Sequence, residues 1–188
     1  MMKKIATLFI MSLMAGSSLK ANPRQEFEAG LNTWAVRHPI LNKFREQPIV
    51  WRTSRTVINK HPNASFEETL KLTIDESILH FIDTNGLYSD IVEGMDPVYR
   101  EASKIIFENK LTEWQVRHPI IKKYRNSSLF NNISKKILQK NPNIEFEEAL
   151  GLIIQFTLKS FEKSSIYPEL VNNLNPISQE LQAKLKIK

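Results

Sequence analysis

Apolar residues recur every three or four positions along most of this chain, which is the spacing of α-helices with one buried face. The clearest series lies between residues 66 and 81: Phe66, Leu70, Ile74, Ile78 and Phe81. Phe27, Leu31 and Trp34 follow the same rule at i, i+4 and i+7. No stretch with the two-residue period of a strand competes with these patterns, so the sequence predicts an all-α protein.

The same pattern occurs twice. A shift of 80 residues aligns residues 31–82 with residues 111–162 without a gap, and 20 of these 52 positions are identical. The strongest match is the motif Trp-x-Val-Arg-His-Pro-Ile, at residues 34–40 and again at residues 114–120. After a slip of one residue the match resumes, and Glu101 then corresponds to Glu180. A repeat of this length predicts two homologous units.

Each unit is expected to contain about four helices. Pro39 and Pro119 break the first helix and begin a short second one, since proline suits the first helical turn. A third helix is predicted by the apolar positions Val50, Thr53 and Val57, and by Phe130, Ile133 and Ile137. The fourth is the series from Phe66, repeated from Phe146, and Ser65 with Glu68 predicts a capping box at its start.

Three further helix starts are predicted where a capping side chain precedes proline: Asn22-Pro23, Asp96-Pro97 and Asn175-Pro176. The expected total is eight to ten helices, in one unit at residues 22–95 and a second at residues 96–188. A unit of about 80 residues buries little core by itself. We therefore expect the units to pack together, as a pseudo-symmetric bundle or a short solenoid.

Residues 1–21 have the pattern of a cleaved secretory signal peptide. Lys3 and Lys4 precede an apolar run at residues 5–15, and Ala21 offers a small residue at the cleavage point. The run is shorter than the roughly 20 residues that a transmembrane helix needs. The leader is of the bacterial type, so we expect export of the mature chain, either to the periplasm or out of the cell.

The composition excludes several classes of function. The chain has no cysteine and only five glycines, which excludes thiol nucleophiles and Cys-ligated metals and argues against phosphate-binding loops. No catalytic motif is present, so we expect no enzyme, cofactor or metal. Of the 26 bases, three lie in the leader, which leaves a mature net charge of +3 against 20 acids. We therefore expect no nucleic-acid partner.

Charge is unevenly distributed along the mature chain. The net charge is +5 over residues 31–62, −7 over 63–102, +7 over 103–140 and −1 over 141–188. A small total therefore hides strong local fields, and local fields attract charged ligands.

The basic side chains that recur around the repeated motif form the candidate binding site. They are Arg37, His38, Lys43 and Arg45 in the first unit and Arg117, His118, Lys123 and Arg125 in the second. The second unit lacks a comparable acidic block, so Lys122, Lys135 and Lys136 extend its basic surface. Such a cluster can hold phosphate or carboxylate groups. The expected partner is a lipid headgroup, a polyanionic glycan or an acidic protein, with peripheral membrane contact. Phospholipid headgroups are favoured if the protein leaves the cell to act on a host.

Four other interpretations stay open at this point. The basic surface can be a solvated face that binds no ligand. The Arg-His pairs can instead stabilise the carbonyl end of the preceding helix. The acidic fourth helix of unit one can lie against the basic helices of unit two, within one molecule or between two, as an assembly device. An enzyme with an unfamiliar site would use His38, His118, Glu67 or Glu147. The oligomeric state does not follow from the sequence.

Overall fold

The computed structural model describes residues 22–82 and 88–187, and these residues form nine α-helices and no strand. The prediction of an all-α protein with eight to ten helices is confirmed. The expected leader, residues 1–21, lies outside the described residues.

The helices follow the repeat. The first unit contains α1 (Pro23–Ala35), α2 (Ile40–Arg45), α3 (Pro48–Lys60) and α4 (Phe66–Ile82). A long helix, α5 (Ser89–Arg117), leads into α6 (Ile120–Arg125), α7 (Ser128–Lys140), α8 (Phe146–Phe161) and α9 (Tyr167–Ile187). By the sequence match, α6, α7 and α8 are the second copies of α2, α3 and α4. The second half of α5 corresponds to α1, and α9 corresponds to the first half of α5.

Two predicted helix starts have the expected capping contacts. The Asn22 Oδ1 atom accepts a hydrogen bond from the Arg24 N–H at 3.1 Å, and Pro23 is the first residue of α1. At α4 the Ser65 Oγ accepts from the Glu68 N–H at 3.2 Å, while a Glu68 carboxylate oxygen accepts from the Ser65 N–H at 3.0 Å. The capping box is confirmed.

The other two predicted starts are wrong, because Asp96-Pro97 and Asn175-Pro176 lie inside α5 and α9. A proline inside a helix removes one backbone hydrogen bond. The helix nevertheless extends upstream of Pro97, because those turns place Ile91 and Met95 in the core, where they are 3% and 0% exposed. Leu170, upstream of Pro176, is buried in the same way.

The buried apolar side chains form two clusters. One extends from Phe27 to Ala102 and the other from Phe107 to Leu181. The change from one cluster to the next occurs within α5, which therefore belongs to both units. The expected boundary between residues 95 and 96 also falls inside this helix. The chain thus passes from one unit to the other through continuous helix and not through a linker.

Candidate functional site

The two tryptophans of the repeated motif are buried at the ends of α1 and α5. Trp34 is 5% exposed and Trp114 is 4% exposed. The His38 ring lies 5.7 Å from the Trp34 ring, and the His118 ring stacks on Trp114 at 5.4 Å between centroids. In both units the motif therefore anchors a histidine against the core.

Each motif binds one carboxylate from the last helix of its unit. In the first unit the Arg37 Nη2 lies 2.7 Å from one Glu101 oxygen, and the His38 Nε2 lies 2.7 Å from the other. The second unit repeats both contacts at 2.6 Å, with Arg117, His118 and Glu180. We call each set an Arg-His-Glu tie. The ties connect the end of α1 to α5 and the end of α5 to α9.

Both tie carboxyls are held in the ionised form. Burial raises the pKa of Glu101, but the hydrogen bond from His38 and the charge of Arg37 outweigh burial and lower the pKa below its ordinary value. The same balance, with His118 and Arg117, lowers the pKa of Glu180. The side chains of the Arg-His pairs therefore bind a carboxylate on another helix, while the backbone N–H groups of His38 and His118 donate to the carbonyl oxygens of Trp34 and Trp114.

The short helices α2 and α6 also have internal partners for their lysines. The Lys43 Nζ lies 2.6 Å from Asp90, and the Lys123 Nζ lies 3.5 Å from Glu169. Asp90 and Glu169 occupy matching positions once the one-residue slip is included. All four side chains are more than half exposed, so each pair contributes little stability. The pairs do reduce the positive charge that these helices present.

The arginines of the same helices bind the first helix of their unit. Arg45 donates a hydrogen bond to the Asn32 side-chain oxygen. Arg125 donates to the Thr112 hydroxyl at 3.0 Å and to the Glu108 carboxylate at 2.5 Å. All eight basic residues that the repeat had indicated are thus held by side chains of this chain.

The remaining three predicted residues have a different environment. Lys122, Lys135 and Lys136 are exposed, and none makes an ion pair within the described residues. Lys140, which the sequence analysis did not select, shares both properties. Residues 120–140 contain six bases and no acid. The bases of α6 and α7 therefore have no acid within their own segment. Arg52 and Arg55 of α3 are also exposed and without an ion pair among the described residues, but α3 packs on the acidic helix α4.

The reason for this difference lies in the neighbouring helix. In the first unit the Lys60 Nζ at the end of α3 lies 3.9 Å from Glu76 on α4. The matching residues of the second unit are Lys140 and Phe156, and Phe156 is 48% exposed. The helices α3 and α7 carry three bases each, but α4 carries four acids and one base, whereas α8 carries two acids and one base. The first pair of helices is neutral and the second has a net charge of +2.

A cleft of about 700 Å³ separates the two units. The matching segments Pro62-Asn63 and Pro142-Asn143 line it, together with Ser103 from the middle of α5. Its charged side chains have partners nearby, because Lys110 lies 3.9 Å from Glu68. The cleft therefore has no marked excess of either charge, and it does not extend to α6 or to the exposed lysines of α7.

Each motif histidine lies beside a carboxylate, but that carboxylate is Glu101 or Glu180 and not Glu67 or Glu147, which the sequence had indicated. Both oxygens of the tie carboxylates already accept hydrogen bonds. Across residues 22–82 and 88–187, no three His, Asp or Glu side chains converge as metal ligands would.

Comparison of the chain with protein-family models, curated proteins and solved structures finds no match. Every helix in the described ranges is too short or too polar to span a lipid bilayer.

Proposed function

We propose that this chain is an exported, non-enzymatic helical binding protein that engages an anionic partner through the basic surface of its second unit. One observation carries the proposal. Residues 120–140 hold six bases and no acid, and four of those bases are exposed without an ion pair among the described residues. Export is part of the proposal on the strength of the leader pattern at residues 1–21.

The physical basis is a local field. Exposed like charges without counter-charges raise the concentration of an oppositely charged partner near the surface. Salt screens such charges over about 10 Å at 0.1 M ionic strength. Binding through these lysines is therefore expected to be reversible and to weaken strongly as salt is added.

We propose a smaller binding surface than the eleven residues that the sequence indicated. The two Arg-His-Glu ties and the partners of α2 and α6 give the repeated basic residues internal roles. We propose that these residues hold helices together and that the α7 lysines, Lys135, Lys136 and Lys140, contact the partner.

The self-assembly alternative finds less support. It requires the acids of α4 to be available for basic helices. Glu76 lies near Lys60, and Asp75 accepts a hydrogen bond from the Tyr99 hydroxyl at 3.1 Å, both within the first unit. Only the contact of Glu68 with Lys110 joins an α4 acid to the second half of α5 among the described ion pairs.

Retention on heparin-agarose with a salt gradient tests the proposal, with the chain beginning at Asn22. One variant replaces Lys135, Lys136 and Lys140 by alanine. A matched variant replaces three bases of the corresponding helix α3 by alanine: Arg52, Arg55 and Lys60. The α7 variant is expected to elute at clearly lower salt than the wild type. The α3 variant is expected to elute at nearly the same salt concentration as the wild type. Equal shifts would show that net charge alone governs retention, and absence of retention would contradict the proposal.

A further inference from the structure

Phe156 is an exposed aromatic side chain in a basic environment. It lies on α8 at the position that Glu76 occupies on α4. Because Lys60 lies 3.9 Å from Glu76, and α7 packs on α8 as α3 packs on α4, we expect Lys140 to lie beside Phe156. The phenylalanine replaces a carboxylate that would have neutralised this lysine.

Two more lysines extend this surface. Lys136 precedes Lys140 by one turn on α7, and Lys159 follows Phe156 by one turn on α8. Both are exposed, and neither has an ion pair in the described part of the chain. We call Lys136, Lys140, Phe156 and Lys159 the Phe156 face.

The carboxylates nearest to Phe156 along the chain are Glu148 on α8 and Glu162 at its C-cap. Glu162 lies about 120° around the helix axis from Phe156, and although it follows Lys159 by three residues, the two form no ion pair among the described residues. Glu148 precedes Phe156 by eight residues, or about 12 Å along the axis. The three lysines around the ring therefore retain their charge as an outward-facing group.

We infer that the Phe156 face docks on the surface of a lipid bilayer that contains anionic phospholipids. This inference rests on the proposed function and names the class of anionic partner. Lysines that surround an exposed aromatic residue combine two attractions of a peripheral membrane site, since the ammonium groups bind anionic headgroups and the ring enters the acyl boundary. A glycan would use the lysines but offers no apolar layer for the ring.

The shape of the surface favours the same partner. The cleft between the units and the smaller cavity beside α1 are lined by other residues. The Phe156 face thus lies on two adjacent helices outside both cavities, where a broad planar surface can reach all four side chains. Each lysine near an anionic bilayer strengthens binding about fivefold, and insertion of the ring adds about tenfold.

Co-sedimentation with vesicles tests the inference, using the chain from Asn22. The vesicles are phosphatidylcholine alone and phosphatidylcholine mixed with phosphatidylglycerol. Phe156→Ala is expected to weaken binding to the mixed vesicles about tenfold. Phe156→Glu, which introduces the side chain that the first unit has here, is expected to abolish binding. Leu79→Ala is the control, because Leu79 is 67% exposed at the position that matches Lys159.

The outcomes separate this inference from the proposed function. Retention on heparin without binding to the mixed vesicles would overturn the inference and leave the anionic-partner proposal standing. Equal binding of the wild type and Phe156→Ala would overturn it too, because the ring would have no role. Failure on both heparin and vesicles would remove both proposals. Circular dichroism of each variant establishes that any loss is not caused by unfolding.

Discussion

The fourth helices of the two units, α4 and α8, bury the same positions and expose different chemistry. Leu70 and Leu150 are 0% and 1% exposed, and they occupy matching positions in the two cores. On the outer surface, Glu76 of α4 is replaced by Phe156 of α8. Packing restricts the buried positions to apolar residues of suitable size. The exposed positions have no such restriction, so a difference in function between the units is expected there.

The polar contacts of α4 show the same contrast. In the first unit Asp75 accepts a hydrogen bond from Tyr99 at 3.1 Å, and burial raises the pKa of Asp75. The corresponding residues of the second unit are Gln155 and Ser178. Two α4 acids of the first unit, Asp75 and Glu76, thus make contacts within the chain, whereas the matching residues of the second unit, Gln155 and Phe156, carry no charge.

The largest expected effect on stability comes from removing the buried tryptophan that both units share. Trp34→Ala and Trp114→Ala each remove a buried ring and are expected to lower the free energy of unfolding by about 4 kcal/mol. Both side chains are almost completely buried, so the two losses are expected to be similar. Urea unfolding followed by circular dichroism measures them. A loss below about 1 kcal/mol for either variant would contradict the placement of that ring.

A smaller loss of stability is expected from a substitution in α1, at a position where the two units differ. A Cβ atom on Gly30 would collide with the Phe66 ring, whereas the second unit has Lys110 at this position. Gly30→Ala is therefore expected to cost about 2 kcal/mol from overpacking, although alanine favours helix more than glycine does. Lys110→Ala is the matched control and is expected to change the free energy of unfolding by less than about 0.5 kcal/mol. Thermal unfolding compares the two, and a stabilised Gly30→Ala variant would contradict this packing.

The smallest expected effect concerns the Arg-His-Glu ties. Glu101→Gln and Glu180→Gln are each expected to cost about 1 kcal/mol at neutral pH, since the tie side chains are partly exposed. Both carboxyls have a lowered pKa in the folded chain. Their contribution is therefore complete above the ordinary pKa of 4.5 and is lost as the pH falls through the lowered value.

Urea unfolding between pH 7 and pH 3 measures this contribution. The wild type is expected to lose more stability on acidification than a double variant with both glutamines. Parallel pH profiles for the two proteins would show that the ties do not hold the carboxyls in the ionised form.

The helices were predictable because the spacing of their apolar residues is visible in a short stretch of sequence, and those residues are the ones that the fold buries. Pro97 and Pro176 were misleading because a local signal competed there with packing between distant parts of the chain. The signal for a helix start at Pro97 is local, but the packing of Ile91 and Met95 that extends α5 upstream of it depends on the whole unit.

The candidate site was predictable only in part. The repeat identified the Arg-His pairs, and it also matched Glu101 with Glu180. That the glutamates are the partners depends on contacts across more than 60 residues, which spacing does not reveal. Phe156 was missed because it lies in an apolar helix, where a phenylalanine is ordinarily buried. Its position off the buried series Phe146, Leu150 and Ile154 was the sequence signal for its exposure.

The central claim is that the repeated basic residues stabilise the fold while the α7 lysines bind the partner. The most direct test is co-sedimentation with phosphatidylglycerol-containing vesicles at low salt, comparing two variants that each remove three positive charges. One carries alanine at Lys135, Lys136 and Lys140, and the other at Arg52, Arg55 and Lys60. We predict a loss of about 25-fold for the α7 variant, because Lys136 and Lys140 lie on the Phe156 face and each strengthens binding about fivefold. Binding of the α3 variant is expected to be close to that of the wild type. Equal binding by the two variants would contradict the claim.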